Sequence, residues 1–152
     1  MRNTMTATPT AFLLLCAAAL LPACACTPAT SGPLTLTTLA KDAYGLSQEP
    51  CREVVRDGTA WAQRWRAVAA AGEAPAVDFA GEMVLVACLG GRRTGGHAIE
   101  IVEATLGGGE LVVLVRETAP APGVLTPQVL TAPFHAVRVA RSDWPVRWVA
   151  AR

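Results

Sequence analysis

Five cysteines, two histidines and a glycine-rich stretch with two adjacent arginines carry most of the chemical potential of this 152-residue chain. Cys16, Cys24 and Cys26 crowd the N-terminus, and Cys51 and Cys88 stand in the body of the sequence. A thiol nucleophile needs an exposed position and a base, whereas Cys88 lies inside the apolar run 83–89 (MVLVACL). Cys51 and Cys88 are therefore expected either to form a disulfide or to remain two small buried thiols on separate strands. His97 and His135 each fall on an apolar strand pattern, with no Cys/His or His/carboxylate cluster at ligand spacing. A hydrogen-bonded structural histidine is expected at both positions, with no metal and no cofactor. None of Ser31, Ser47 and Ser142 stands in a nucleophile-elbow sequence. Gly90-Gly91 and Gly95-Gly96 do not open a helix after a βαβ unit, as a phosphate cradle requires. No catalytic residue is assigned. What remains is Arg92-Arg93-Thr94-Gly95-Gly96-His97, a basic loop in which glycine permits positive φ and close backbone approach. It reads either as a loop presented to a partner protein or as a structural turn.

The elements around these residues begin after an export signal. Arg2 precedes the apolar run 11–21 (AFLLLCAAALL), which is too short to span a bilayer and has the dimensions of a signal-peptide core. Residues 1–23 are expected to be removed. Two processing routes fit: lipidation at Cys24, with Cys26 as the alternative, or cleavage at Ala23-Cys24-Ala25 and plain secretion. The expected location is the cell envelope as a membrane-anchored lipoprotein, the alternative being a secreted or periplasmic protein. Arg2 is the one charge lost with the signal, so the formal surplus of +1 leaves with it. A neutral mature chain has no general attraction for nucleic acid or anionic lipid, and membrane association falls to the acyl anchor.

Residues 24–33 have the Pro/Ser/Thr composition of a flexible tether, and a folded domain is expected over 34–152. Alternation at 34–39 and the run 51–56 predict two short strands. Asp57 is a candidate N-cap for a helix over 59–71 closed by Gly72, with Trp61, Trp65, Val68 and Ala69 on one stripe. The unbroken apolar run 83–89 predicts a central strand covered on both faces. Strand patterns follow at 97–105, 111–116 and 134–140, the first two joined by Gly107-Gly108-Gly109 as a hairpin. Trp144 and Trp148 are expected to close over an end of the core. The fold class is α+β: a mostly antiparallel, sandwich-like sheet with one packed tryptophan-bearing helix.

Several segments together point further. Val77-Asp78-Phe79 with Met83-Val84-Leu85, then Gly91 and Thr94-Gly95-Gly96 entering a strand, then Val113, Glu117 and Pro120, and finally Thr126-Pro127-Gln128, Thr131, Pro133 and Phe134 form a combined pattern. It resembles the C-terminal domain of the PrcB family of protease-complex subunits over about residues 52–139. Arg93 and His97 depart from the proline and tyrosine common in that family. The resemblance implies a non-catalytic accessory role: a protein-interaction domain that stabilises an exported protease or a similar envelope complex. The partner-binding loop is then expected at Arg92, Arg93, Thr94, Gly95, Gly96 and His97. A protease-inhibitor module of the chagasin type is the alternative, on the loose likeness of the Thr-Gly-Gly loop. A small exported hydrolase is the third reading.

Overall fold

The structure, a computed structural model, describes residues 31–151. The expected signal peptide, the lipidation candidates Cys24 and Cys26 and most of the tether lie outside the described residues. In chain order the elements are β1 (Gly32–Pro33), β2 (Thr37–Asp42), β3 (Cys51–Val55), α1 (Gly58–Val68), β4 (Glu82–Cys88), β5 (Ala98–Gly107), β6 (Glu110–Thr118), β7 (Phe134–Ala140) and β8 (Val146–Ala150). They build two four-stranded sheets with the orders β1-β5-β6-β8 and β2-β7-β4-β3. Every pairing is antiparallel except that of β6 with β8. The α+β, mostly antiparallel architecture with one tryptophan-bearing helix is the one read from the sequence.

Three layers result from the strand period of two. Met83, Leu85 and Ala87 of β4 and Val137 and Val139 of β7 face the first sheet, meeting Ile99, Ile101, Leu111, Val113 and Val115. Val84, Val86, Cys88, Phe134 and Ala136 face the opposite way, onto Trp61, Trp65 and Val68 of α1. Strand β4 is thus covered on both sides, and every residue from Met83 to Cys88 is fully buried, which is why its sequence is apolar without alternation. Trp144, Val146 and Trp148 pack half-buried against the sandwich interior, closing it from the β8 side.

Asp57 caps α1 by accepting a hydrogen bond from Ala60 N at 2.8 Å, a contact worth about 1 kcal/mol. The helix stops at Val68, short of the expected end at residue 71. At its end Trp65 O accepts from Ala69 N and Val68 O accepts from Leu46 N, while the Trp65 indole donates to Gly72 O in the segment that follows. The first expected strand is also displaced. Its alternating stretch begins at residue 34, but Leu34 and Leu36 pack on the sandwich core ahead of β2. Gly32 and Pro33, assigned to the tether by composition, pair with Leu106 and Thr105 of β5.

Two local devices set the remaining geometry. Gly108 and Gly109 have φ of 61° and 83°, the paired positive values of a two-residue hairpin turn, and join β5 to β6 through the Gly107–Glu110 pair. A register shift between Ile101 and Glu103 then moves the buried set of β5 from Ile99 and Ile101 to Ala104 and Leu106.

Candidate partner-docking surface

The loop between β4 and β5 is built against two other connections. Gly91 N donates to Gln48 O at 2.9 Å, tying it to the β2–β3 connection. Arg92 N donates to Thr131 O at 2.7 Å and Thr131 N donates back to Arg92 O at 2.9 Å, tying it to the β6–β7 connection. The Thr131 hydroxyl donates to Thr94 O at 3.1 Å, and Gly95 N donates to Pro127 O at 2.9 Å. Gly96 has φ of 82°, and a Cβ there would lie 3.0 Å from Pro120 Cγ. A side chain at that position meets both backbone strain and a wall. The segments 90–97 and 126–134, far apart in sequence, therefore hold each other.

The six residues of the loop do not share one surface. Arg92 and Arg93 reach the outside, Arg93 being exposed and Arg92 half-buried with its Nη1 donating to Gly91 O. Thr94, Gly95 and Gly96 face the β6–β7 connection. His97 lies on the other side, in a small recess of about 200 Å³ with Lys41, Asp42, Ile99 and Pro133, and its Nε2 is 3.4 Å from Thr94 Oγ1. Arg92 and Arg93 instead line a cleft of about 340 Å³ together with Tyr44, Gln48, Leu130 and Thr131.

What surrounds that cleft was not flagged by the sequence. Among the described residues, the exposed large hydrophobics are Tyr44, Leu46, Val124, Leu125, Val129 and Leu130, and all six belong to the β2–β3 and β6–β7 connections. Leu125 is 99% exposed and Leu130 is 78% exposed. The two connections are joined by the Tyr44–Ala132 bridge and by Gly45 N donating to Ala132 O at 3.1 Å. Of these exposed apolar side chains, Tyr44 and Leu130 line the cleft beside the two arginines, and the other four lie on the same two connections. Among the described residues no ion pair involves Arg92 or Arg93, whereas seven pairs engage other charged side chains. The signal available in the sequence was the placing of large apolar residues inside a Pro/Gly-rich connection, where no core face exists to take them.

The remaining chemistry-bearing residues are structural in their contacts. Cys51 and Cys88 are cross-strand partners on β3 and β4 with Cα atoms 4.7 Å apart, and their sulfurs meet in disulfide contact. Arg52 Nη1 donates to the carbonyls of both cysteines, at 2.7 and 2.8 Å, and its Nη2 pairs with Glu117 of β6, linking the two sheets. His135 is buried, and its pKa is pushed down to about 4, first by burial and then by the Lys41 ammonium, against a smaller opposing pull from Glu100. Among the described residues no group of three or more Cys, His, Asp or Glu side chains lies together as metal ligands would.

A family model described as PrcB C-terminal matches residues 83–140, the segment from β4 through β7 that includes both the arginine-bearing loop and the connection packed against it. Searches of curated proteins and of solved structures found no match.

Proposed function

We propose that this chain, matched over residues 83–140 by the PrcB C-terminal family model, is a non-catalytic accessory protein, exported and tethered at the cell envelope, that associates with and stabilises a protein partner, an exported protease foremost. The family match supports an accessory domain associated with a protease complex. The reading is carried by one observation: among the described residues, the exposed large hydrophobics are confined to the two connections packed against the Arg92–Arg93 loop. Exposed apolar side chains gathered on neighbouring connections mark a candidate interaction site, and arginine and tyrosine are favoured anchors there. In this reading Arg92 and Arg93 meet the partner, while Thr94, Gly95 and Gly96 hold the loop in place. The acyl group at Cys24, or at Cys26, supplies the membrane attachment.

Affinity capture from the native envelope tests the proposal, comparing wild type with an Arg92→Ala/Arg93→Ala variant and with Leu130→Ser. The expected result is a partner retained by wild type and depleted with both variants. Addition of the purified protein to that partner distinguishes the roles: protection of a protease from self-degradation marks an accessory subunit, and equimolar inhibition marks an inhibitor. Identical capture by all three proteins contradicts the docking surface.

A further inference from the structure

We infer that the occupant of this surface is a protein segment presenting an apolar side chain beside one or more carboxylates, the apolar group seated in the cleft between Tyr44 and Leu130 and the carboxylates meeting Arg92 and Arg93. This rests on the docking reading above and gives the partner a chemistry.

The charge pattern carries the inference. Arg92 and Arg93 stand together at the rim of the cleft, and no described carboxylate pairs with either. The acids of the neighbouring β2–β3 region are Asp42 and Glu49. Asp42 accepts from Tyr44 N at 2.9 Å, and neither acid forms an ion pair with the two arginines. Elsewhere four arginines are committed to carboxylates, Arg52 to Glu117, Arg64 to Glu53, Arg147 to Glu110 and Arg138 to Glu82, and the other unpaired ones among the described residues, Arg56 and Arg66, do not line this cleft. Guanidinium groups match carboxylates in a planar, two-bond geometry that lysine does not offer. Two guanidinium groups without a carboxylate partner, Arg92 keeping Nη2 and Nε beyond its bond to Gly91 O, stand beside the exposed Leu130 and therefore complement a segment with both acidic and apolar character.

The shape argues for protein over a bilayer. The arginines flank an indentation of about 340 Å³ lined by Tyr44, Gly45, Leu130 and Ala132, which admits a projecting side chain. An anionic lipid surface is flat and is held by clusters of several basic residues, more than the two present here.

The test uses the full-length protein and three synthetic peptides that differ only in their charged positions: aspartate–leucine–aspartate, asparagine–leucine–asparagine and lysine–leucine–lysine, each flanked by glycines. Binding is followed by amide chemical shifts. The aspartate peptide is expected to perturb residues 44–48, 90–94 and 129–132 and to bind at least tenfold more tightly than the asparagine peptide, a gap that narrows with added salt. In an Arg92→Glu/Arg93→Glu variant the preference is expected to turn to the lysine peptide, an outcome that misfolding does not produce. Leu130→Ser is expected to weaken the aspartate peptide about fivefold or more with the shift pattern otherwise retained. Equal affinity for the aspartate and asparagine peptides, perturbation confined to other surfaces, or binding only to phosphatidylglycerol vesicles would each overturn the inference. If the captured envelope partner is lost with Leu130→Ser but unaffected by charge reversal, the partner chemistry fails and the docking surface stands; if neither change affects capture, both fail.

Discussion

His135 Nδ1 on β7 accepts a hydrogen bond from the backbone N–H of Ile101 on β5 at 2.9 Å, so one imidazole joins the two sheets through the interior of the sandwich. Ile101 lies at the start of the register shift in β5, and β1, with only two residues, pairs no farther along that edge than Thr105 and Leu106. The Ile101 N–H is therefore an edge donor with no strand to take it. Because Nδ1 accepts, Nε2 carries the proton and donates to Thr38 Oγ1 at 3.1 Å, and the ring is held neutral by its contacts on both sides.

That arrangement sets a pH dependence of stability. The pKa of His135 falls from 6.5 to about 4 on folding, with burial the main cause. Between these values the unfolded chain binds the extra proton, so stability is full above pH 6.5 and is lost as pH falls toward 4. At about 1.4 kcal/mol per pKa unit, the difference amounts to about 3 kcal/mol. Glu100, held below its usual range chiefly by the hydrogen bond from Lys41, acts at more acidic pH: its contribution is present above 4.5 and lost as pH falls further. It is well exposed, and its share is small. Urea unfolding at pH 7.5 and 4.5 should show the loss in wild type and a much shallower one in His135→Ala, which is itself destabilised at pH 7.5 by about 2 kcal/mol through the orphaned Ile101 N–H. Parallel pH profiles for the two proteins would remove His135 from the account.

Cys51 and Cys88 close a separation of 37 residues across adjacent strands. In the oxidising environment expected for an exported protein, the native mass should lie two hydrogens below that of the reduced chain. Replacing both cysteines by serine should cost about 3 kcal/mol of unfolding free energy. Two free thiols in protein isolated from its native compartment would contradict the pairing.

The core was legible where the local apolar pattern alone decides burial. The unbroken apolar run of β4 announced burial on both faces, and Trp61, Trp65 and Val68 announced the inner face of α1. Contacts that depend on distant backbone were not. The helix ends at Val68 because Leu46 and Ala69 provide the terminal hydrogen bonds there, whereas Gly72 looked like the natural stop. β1 pairs through backbone groups alone, and composition cast its residues as tether. Within the candidate site, Arg92 and Arg93 were visible as a basic loop, but Tyr44, Leu46, Leu125 and Leu130 were not. An exposed leucine has no periodic signature, and it is long-range backbone contacts, the bridges from Tyr44 to Ala132 and from Arg92 to Thr131 among them, that bring the three connections together.

The division of labour within the loop is testable by glycine substitution. Gly96→Ala should cost about 1 to 2 kcal/mol, from a positive φ and the approach to Pro120. Gly81→Ala, where an added Cβ meets nothing within 4 Å, should change stability by no more than about 0.5 kcal/mol. Thermal denaturation of the two variants measures the contrast, and equal stability would remove Gly96 as the structural anchor of the loop.

In the proposed function a partner protein docks at the end of the sandwich that carries Tyr44, Leu130, Arg92 and Arg93. A photo-crosslinking residue placed at position 130, in cells producing the full-length protein, tests it most directly against the same residue at position 103, an exposed site on β5. A discrete crosslinked partner from position 130, absent from position 103 and diminished by Arg92→Glu/Arg93→Glu, is the predicted result. A partner captured from position 103 alone, or none from position 130, would contradict the account.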